Sequence, residues 1–254
     1  MFNKVVRNAD EAVAEIGDGA SIAVGGFGLV GVPNTLIEAI LRKGSKNLHV
    51  VSNNCGVDGG GLGILLEAGR ISRVTASYIG TNKEFERQYL SGLIELELTP
   101  QGTLAEKMRS GGAGIPAFFT PAGVGTFVES GQLPILYDSD GTVLKYSTPR
   151  EHRVFGGNHY ILEESITTDF ALVRAYIADT QGNCVFRKTA RNFNPNAAMA
   201  GRVTIVEAEK IVPAGEIDPD CIHLPGIYVK KVLQLSEAES ANKGIEQYTV
   251  RERA

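Results

Sequence analysis

The chain has 254 residues, 43% hydrophobic and 21% charged, with 30 glycines and no tryptophan. That is a globular composition with enough apolar side chain for one large domain or two small ones. A net charge of −4 gives no electrostatic case for a nucleic-acid or anionic-membrane partner, and no apolar run approaches the ~20 residues of a membrane span.

The N-terminus lacks a signal-peptide core. Residues 12–16 have the spacing of a short amphipathic helix ending at Gly17. Asp18-Gly19 then turns into Ser21-Ile22-Ala23-Val24, an apolar run suited to a central strand. Its exit, Gly25-Gly26-Phe27-Gly28-Leu29-Val30-Gly31, carries four glycines in seven residues. Pro33 follows, tolerated at a helix start because its missing N–H would be unpaired anyway. Leu36, Ile37, Ile40 and Leu41 place an apolar face on the next helix, which stops at Gly44. Residues 48–52 read as a strand, and residues 53–61 as a second loop rich in glycine and amides. Helices over 62–68 and 83–90 alternate with strands over 74–79 and 94–98. Pro100 opens another helix over 101–109, closed by Gly111-Gly112. The recurring order of strand, loop and helix predicts a parallel sheet flanked by helices.

After Ile115 the pattern changes. Asp138-Ser139-Asp140-Gly141 is a hairpin signal, and Gly156-Gly157-Asn158 lies between two short apolar runs. An antiparallel excursion is expected around residues 116–165. Residues 169–178 return to the core sheet, and 203–206 and 227–229 supply the last strands. A polar tail is expected over 236–254. No internal repeat is apparent.

A loop without β-carbons that ends at a helix N-terminus lets backbone N–H groups approach an anion or a carbonyl closely; tight strand-to-helix packing would call for the same glycines. The loop has no GKS or GKT, so it is no P-loop. A dinucleotide site would need an acidic residue ending the second strand, where Val50-Val51-Ser52-Asn53-Asn54 offers none. Gln101, at a strand-to-helix junction, can donate to a carbonyl oxygen that becomes an oxyanion, or can simply cap the helix. Asn53 and Asn54 hold the matching place after the earlier strand, as substrate-lining amides or as turn formers. Arg187, Lys188 and Arg191, with Asn192, Asn194 and Asn196, form a basic cluster followed by amides, suited to an anion or to solvent. Glu38, Glu67, Glu106 and Glu129 read as surface charges. Cys55, Cys184 and Cys221 and the four histidines are too scattered for a disulfide framework or a zinc site. The chain offers a binding loop and polar donors but no nucleophile in a recognisable setting.

The segment from Asp18 to Pro33 resembles the first signature of the 3-oxoacid CoA-transferase family. Further segments agree: Ser52-Asn53-Asn54-Cys55-Gly56, Glu97-Leu98-Thr99-Pro100-Gln101-Gly102-Thr103, Gly111-Gly112-Ala113-Gly114-Ile115-Pro116, and Phe186-Arg187-Lys188-Thr189-Ala190-Arg191-Asn192-Phe193-Asn194. The likeness runs from near residue 3 to about residue 233. It is strongest to the A half of the succinyl-CoA:3-ketoacid branch, since the 3-oxoadipate branch is shorter across 136–160.

The resemblance implies an α/β three-layer sandwich with a mostly parallel sheet, occupying residues 1–235. It implies CoA transfer between succinyl-CoA and acetoacetate by a ping-pong route, the nucleophilic glutamate lying in a Ser-Glu-Asn-Gly motif of the family's B half. That tetrapeptide is absent here. Gln101 would polarise the thioester or anhydride carbonyl. Gly25, Gly26, Phe27, Gly28, Leu29, Val30 and Gly31 would contact the CoA or acyl group through backbone N–H. CoA thioester would be a substrate, with no tightly bound cofactor and no metal. The partner would be the B half of the enzyme, a separate polypeptide in an A2B2 heterotetramer, and the setting cytoplasmic. The A half of a 3-oxoadipate CoA-transferase, a phosphosugar isomerase relative and a non-catalytic binding module are the competing readings.

Overall fold

A computed structural model describes residues 3–243. A short edge strand, β1 (Val5–Val6), leads into α1 (Ala9–Ala12), which begins where the Asn8 side chain accepts from the Glu11 N–H at 2.8 Å. That helix starts earlier than its apolar spacing predicts, because the Asn8 cap sets its first turn. Strand and helix then alternate: β2 (Ser21–Val24), α2 (Asn34–Lys43), β3 (Leu48–Val51), α3 (Gly63–Glu67), β4 (Ile71–Ala76), α4 (Lys83–Leu90), β5 (Glu95–Leu98) and α5 (Gln101–Gly112). β2 to β5 lie side by side, parallel and in sequence order, and the intervening helices supply the crossovers that parallel neighbours require.

Helix α5 does not close before Gly111-Gly112 but runs through both. A β-carbon at Gly111 would strike the Ile166 carbonyl, and one at Gly112 would strike Met199. These glycines serve close packing between segments, not helix termination.

The antiparallel excursion lies where the turn signals place it. It comprises β6 (Ala117–Thr120), α6 (Phe127–Ser130), the hairpin of β7 (Pro134–Tyr137) with β8 (Val143–Tyr146), and the hairpin of β9 (His152–Phe155) with β10 (Asn158–Glu164). β10 also pairs with β6. Ion pairs hold the excursion against the sheet: Lys107 on α5 reaches Glu163 at 2.8 Å with both side chains buried, and Arg150 bridges Glu163 and Glu97 at 3.3 and 3.4 Å.

β11 (Thr168–Asp179) returns beside β2, β12 (Cys184–Val185) folds back antiparallel on it, and α7 (Asn194–Ala200), β13 (Gly201–Val212) and β14 (Val229–Gln234) complete the sheet. The sheet order is β1-β14-β13-β11-β2-β3-β4-β5, with β12 at the side. Strand alternation divides the core in two. Ile22, Val24, Val50, Leu172 and Ile205 face α1 to α4, while Ala23, Val51, Ala171, Val173 and Val206 face α5 and α7. Both faces are therefore buried, which is the three-layer arrangement.

The first part of the expected polar tail is ordered. Ser236 and Glu239 form a reciprocal capping box that starts α8 (Glu237–Ala241). Residues 244–254 lie outside the described residues. No helix among the described residues is long and apolar enough to cross a membrane.

Candidate active site

Where β2 ends, the Gly25 N–H donates to the Leu172 carbonyl at 2.9 Å, continuing the ladder one residue into the loop. Phe27 and Val30 then exchange N–H to carbonyl bonds of 3.0 Å each, closing a tight tip at Gly28-Leu29. Gly26, Gly28 and Gly31 have φ of +109°, +60° and +69°, a region where a β-carbon is strained. At Gly25 a β-carbon would collide with the Asn194 side chain. Packing beneath the loop thus requires glycine on its own account. The same bridge recurs after β3, between Val57 and Gly60, and the side chain of Leu29 rests near Gly60 and Gly61. The echo extends to Gly26 and Gly31 against Gly56 and Gly61, all four at positive φ, but to little else in the two loops, so the sequence shows no repeat.

The amides that follow β3 and β5 converge on that loop. Gln101 Nε2 donates to Asn53 Oδ1 at 3.1 Å, Asn53 Nδ2 to Asn54 Oδ1 at 3.3 Å, and the Gly28 N–H to the same Asn54 oxygen at 3.1 Å. Ser77 Oγ adds a bond to Asn53 Oδ1 at 2.9 Å. One row of amides therefore runs across the C-terminal ends of the strands, from the start of α5 to the loop tip. Ligands of open α/β sheets sit at that edge.

The members of the row differ in access. Asn53 and Asn54 are 3% and 7% exposed, with both ends of each side chain engaged inside the protein. They frame the site from below. Gln101 is exposed and is the first helical residue after Pro100; its side chain runs to Asn53 and does not cap α5. A carboxamide held by one hydrogen at the start of a 12-residue helix can offer the other to an oxygen that gains negative charge. The loop is less open than its glycines suggest. The N–H groups of Gly25, Phe27, Gly28 and Val30 already donate within the protein, so a ligand would have to break those bonds to use them. Phe27, 46% exposed, stands at the lip.

The basic cluster splits in two by exposure. Arg187, Lys188 and Arg191 are exposed, and Arg187 lies over the Tyr176 ring at 4.9 Å. Asn192 and Asn194 turn inward: Asn192 Nδ2 donates to the Val30 carbonyl at 3.1 Å, and Asn194 Nδ2 to the Gly31 carbonyl at 3.0 Å. They brace the glycine loop from its far side.

Two ionisable residues beneath the loop escape sequence reasoning. Glu207 on β13 is fully buried, and its Oε2 accepts from the Leu36 N–H of α2 at 3.0 Å. Burial pushes its carboxyl pKa up to about 8, opposed by Arg174 and by that N–H. Arg174 on β11 is 5% exposed. The alternation of Val206-Glu207-Ala208-Glu209 on a core strand is the available signal, but it does not say which glutamate is the buried one. Glu67, Glu106 and Glu129 make surface contacts with Gly59, Arg109 and His152, and Glu38 borders a cleft beside Leu29. No group of three His, Cys, Asp or Glu side chains among the described residues could hold a metal ion.

The chain is 53% identical over 250 residues to the A-type component of the succinyl-CoA:3-ketoacid coenzyme A transferase of Helicobacter pylori, covering 98% of this chain and 99% of that one. It is 52% identical over 240 residues to the mitochondrial succinyl-CoA:3-ketoacid coenzyme A transferase 2 of Homo sapiens, covering 94% of this chain but 46% of that longer protein. In fold it resembles an acyl-CoA transferase of Escherichia coli O157:H7, with a TM-score of 0.78 at 23% identity, across 92% of this chain and about half, 47%, of that polypeptide. The family model described as coenzyme A transferase matches residues 6–235, the span that holds the glycine loop, the amide row and every strand of the sheet but the first residue of β1. The chain belongs to the coenzyme A transferase family.

Proposed function

We propose that this chain is the A half of a succinyl-CoA:3-oxoacid CoA-transferase, completed by a separate B half that carries the nucleophilic glutamate. The observation that carries this reading is the row Gln101–Asn53–Asn54–Gly28. It aims one exposed carboxamide at the strand ends and leaves the attacking group to come from elsewhere.

In the proposed ping-pong sequence a glutamate oxygen of the partner attacks the carbonyl carbon of succinyl-CoA. The C–S bond breaks, CoA thiolate leaves, and an acyl-glutamyl anhydride remains. The thiolate then attacks the glutamyl carbonyl, expels succinate and leaves CoA on the glutamate as a thioester. Acetoacetate reverses both steps and departs as acetoacetyl-CoA. Each addition places negative charge on a carbonyl oxygen, and Gln101 Nε2 is the donor assigned to it. Asn53 fixes the direction of that donor. The loop of Gly25, Gly26, Phe27, Gly28, Leu29, Val30 and Gly31 walls the acyl-CoA channel. CoA is a substrate here and not a resident cofactor, the assembly is A2B2, and the setting is cytoplasmic.

The identity to the A-type component of a two-component enzyme, and the half-length match to a single longer relative, support a division of the site between two polypeptides. Mixing the purified A and B halves with succinyl-CoA and acetoacetate should give acetoacetyl-CoA, with neither half active alone. Turnover by the A half by itself would overturn the shared site.

A further inference from the structure

Helix α2 begins three residues after the glycine loop, yet its own N-cap, Pro33, makes no side-chain bond to it. The open first turn is satisfied from across the sheet. Glu207 Oε2 takes the Leu36 N–H, with the Thr35 N–H alongside. The second oxygen, Oε1, is buried and finds no hydrogen-bond donor among the described residues; Arg174 Nη1 lies 3.5 Å away. A fully buried carboxyl oxygen without a donor costs stability in either protonation state, so its place here calls for an explanation.

Arg174 stands at a junction. Its backbone N–H donates to Asn194 Oδ1 at 3.0 Å, and Asn194 in turn holds the Gly31 carbonyl. Its guanidinium is directed to the end of α8, donating to the carbonyls of Ser240 at 2.9 Å and of Glu239 and Asn242 at 3.4 Å. Cations at a helix C-terminus complement its dipole. Asn242 borders the cleft lined by Leu29, Asn34 and Gly59 to Gly61, beside the loop. One buried arginine is thus linked to the glycine loop through its backbone N–H and Asn194, to the start of α2 through Glu207, and directly to α8.

We infer that Arg174 and Glu207 are positioning residues for the glycine loop, coupling its exit to the seating of α8. Neither touches the reacting atoms; they act through Asn194 and through the first turn of α2. The charged groups that face Glu207 are Arg174 from β11 and Glu239 from α8, with Glu209 and Lys243 completing the ion cluster around Arg174. An ionised Glu207 grips the α2 N-terminus more firmly than a protonated one, so the loop is best held above the pH at which this carboxyl ionises.

The kinetic part of the test rests on the transferase reading, whereas hydrogen exchange on this chain alone does not. Ser240→Pro removes the Ser240 N–H bond to the Ser236 carbonyl and unwinds α8. Exchange across residues 25–36 should then quicken by roughly tenfold, and in the A/B mixture KM for succinyl-CoA should rise while kcat changes little. Glu207→Gln keeps an acceptor for the Leu36 N–H but removes the charge facing Arg174. In that background Ser240→Pro should add nothing further, the signature of a shared route. The wild-type kcat/KM should rise through pH about 8, and Glu207→Gln should lose that inflection. Unaltered exchange over 25–36 in Ser240→Pro would overturn the inference, as would additive effects of the two substitutions. An inactive A/B mixture would sink the transferase reading and leave the exchange result standing.

Discussion

A carboxamide that stabilises an oxyanion must be oriented before the charge develops, because reorientation during reaction would forfeit much of the gain. Gln101 meets that condition through Asn53, and Asn53 through Ser77 and Asn54. Gln101→Ala should lower kcat of the A/B mixture by about 10–1000-fold with little change in KM; an unchanged kcat would remove Gln101 from the mechanism. Asn53→Ala should show a smaller fall in kcat, since it frees the carboxamide without deleting it. His49 shows a different residue-scale effect. Burial, with Arg73 adding to it, lowers its pKa from 6.5 to about 4, and its Nε2 lies 3.0 Å from Thr75 Oγ1. The folded protein therefore keeps this ring neutral while the unfolded chain takes up a proton below pH 6.5. Stability from this group is complete above 6.5 and declines as pH falls towards 4, by on the order of 3 kcal/mol at the lower end. Urea unfolding across that range should show a smaller decline for His49→Gln than for the wild type.

At the scale of elements, the helix that carries Gln101 is also the one tied to the antiparallel excursion. Lys107, further along α5, pairs with a Glu163 that is 1% exposed. Lys107→Ala leaves that carboxylate buried with only Arg150 at 3.3 Å, and should destabilise the protein by about 3 kcal/mol in urea unfolding. The elements around this region are legible in the sequence wherever the signal is local. The βα alternation through Leu98, the turns at Asp140-Gly141 and Gly156-Gly157, and the junctions before Asn34 and Gln101 all depend on near neighbours. Legibility fails where the determining partner is distant. β13 extends from Gly201 to Val212, far beyond the apolar run at 203–206, because β11 pairs with it along its whole length, from Thr168 beside Gly201 to Asp179 beside Val212. In the site, Gly25 to Gly31, Asn53, Asn54 and Gln101 are readable from motif and position. The roles of Glu207, Arg174 and Asn194 are not, since their contacts to α2, α8 and Gly31 span 171, 66 and 163 residues.

On the scale of the whole molecule, the central sheet has two ends that behave alike. β1 is two residues long and offers almost no free ladder. At the other end the excursion lies along β5, with Lys145 and Arg150 meeting Glu95 and Glu97. Short or covered edge strands block the addition of a foreign strand. Addition of a partner strand at β1 or β5 is therefore disfavoured, and the partner proposed above would dock through loops and helix faces at the strand ends. Such a contact can be made and broken without unfolding either molecule. The two halves of the enzyme should thus fold separately and then combine: refolding each alone before mixing should restore the same activity as refolding them together, whereas activity recovered only on co-refolding would show that they build their sheets jointly.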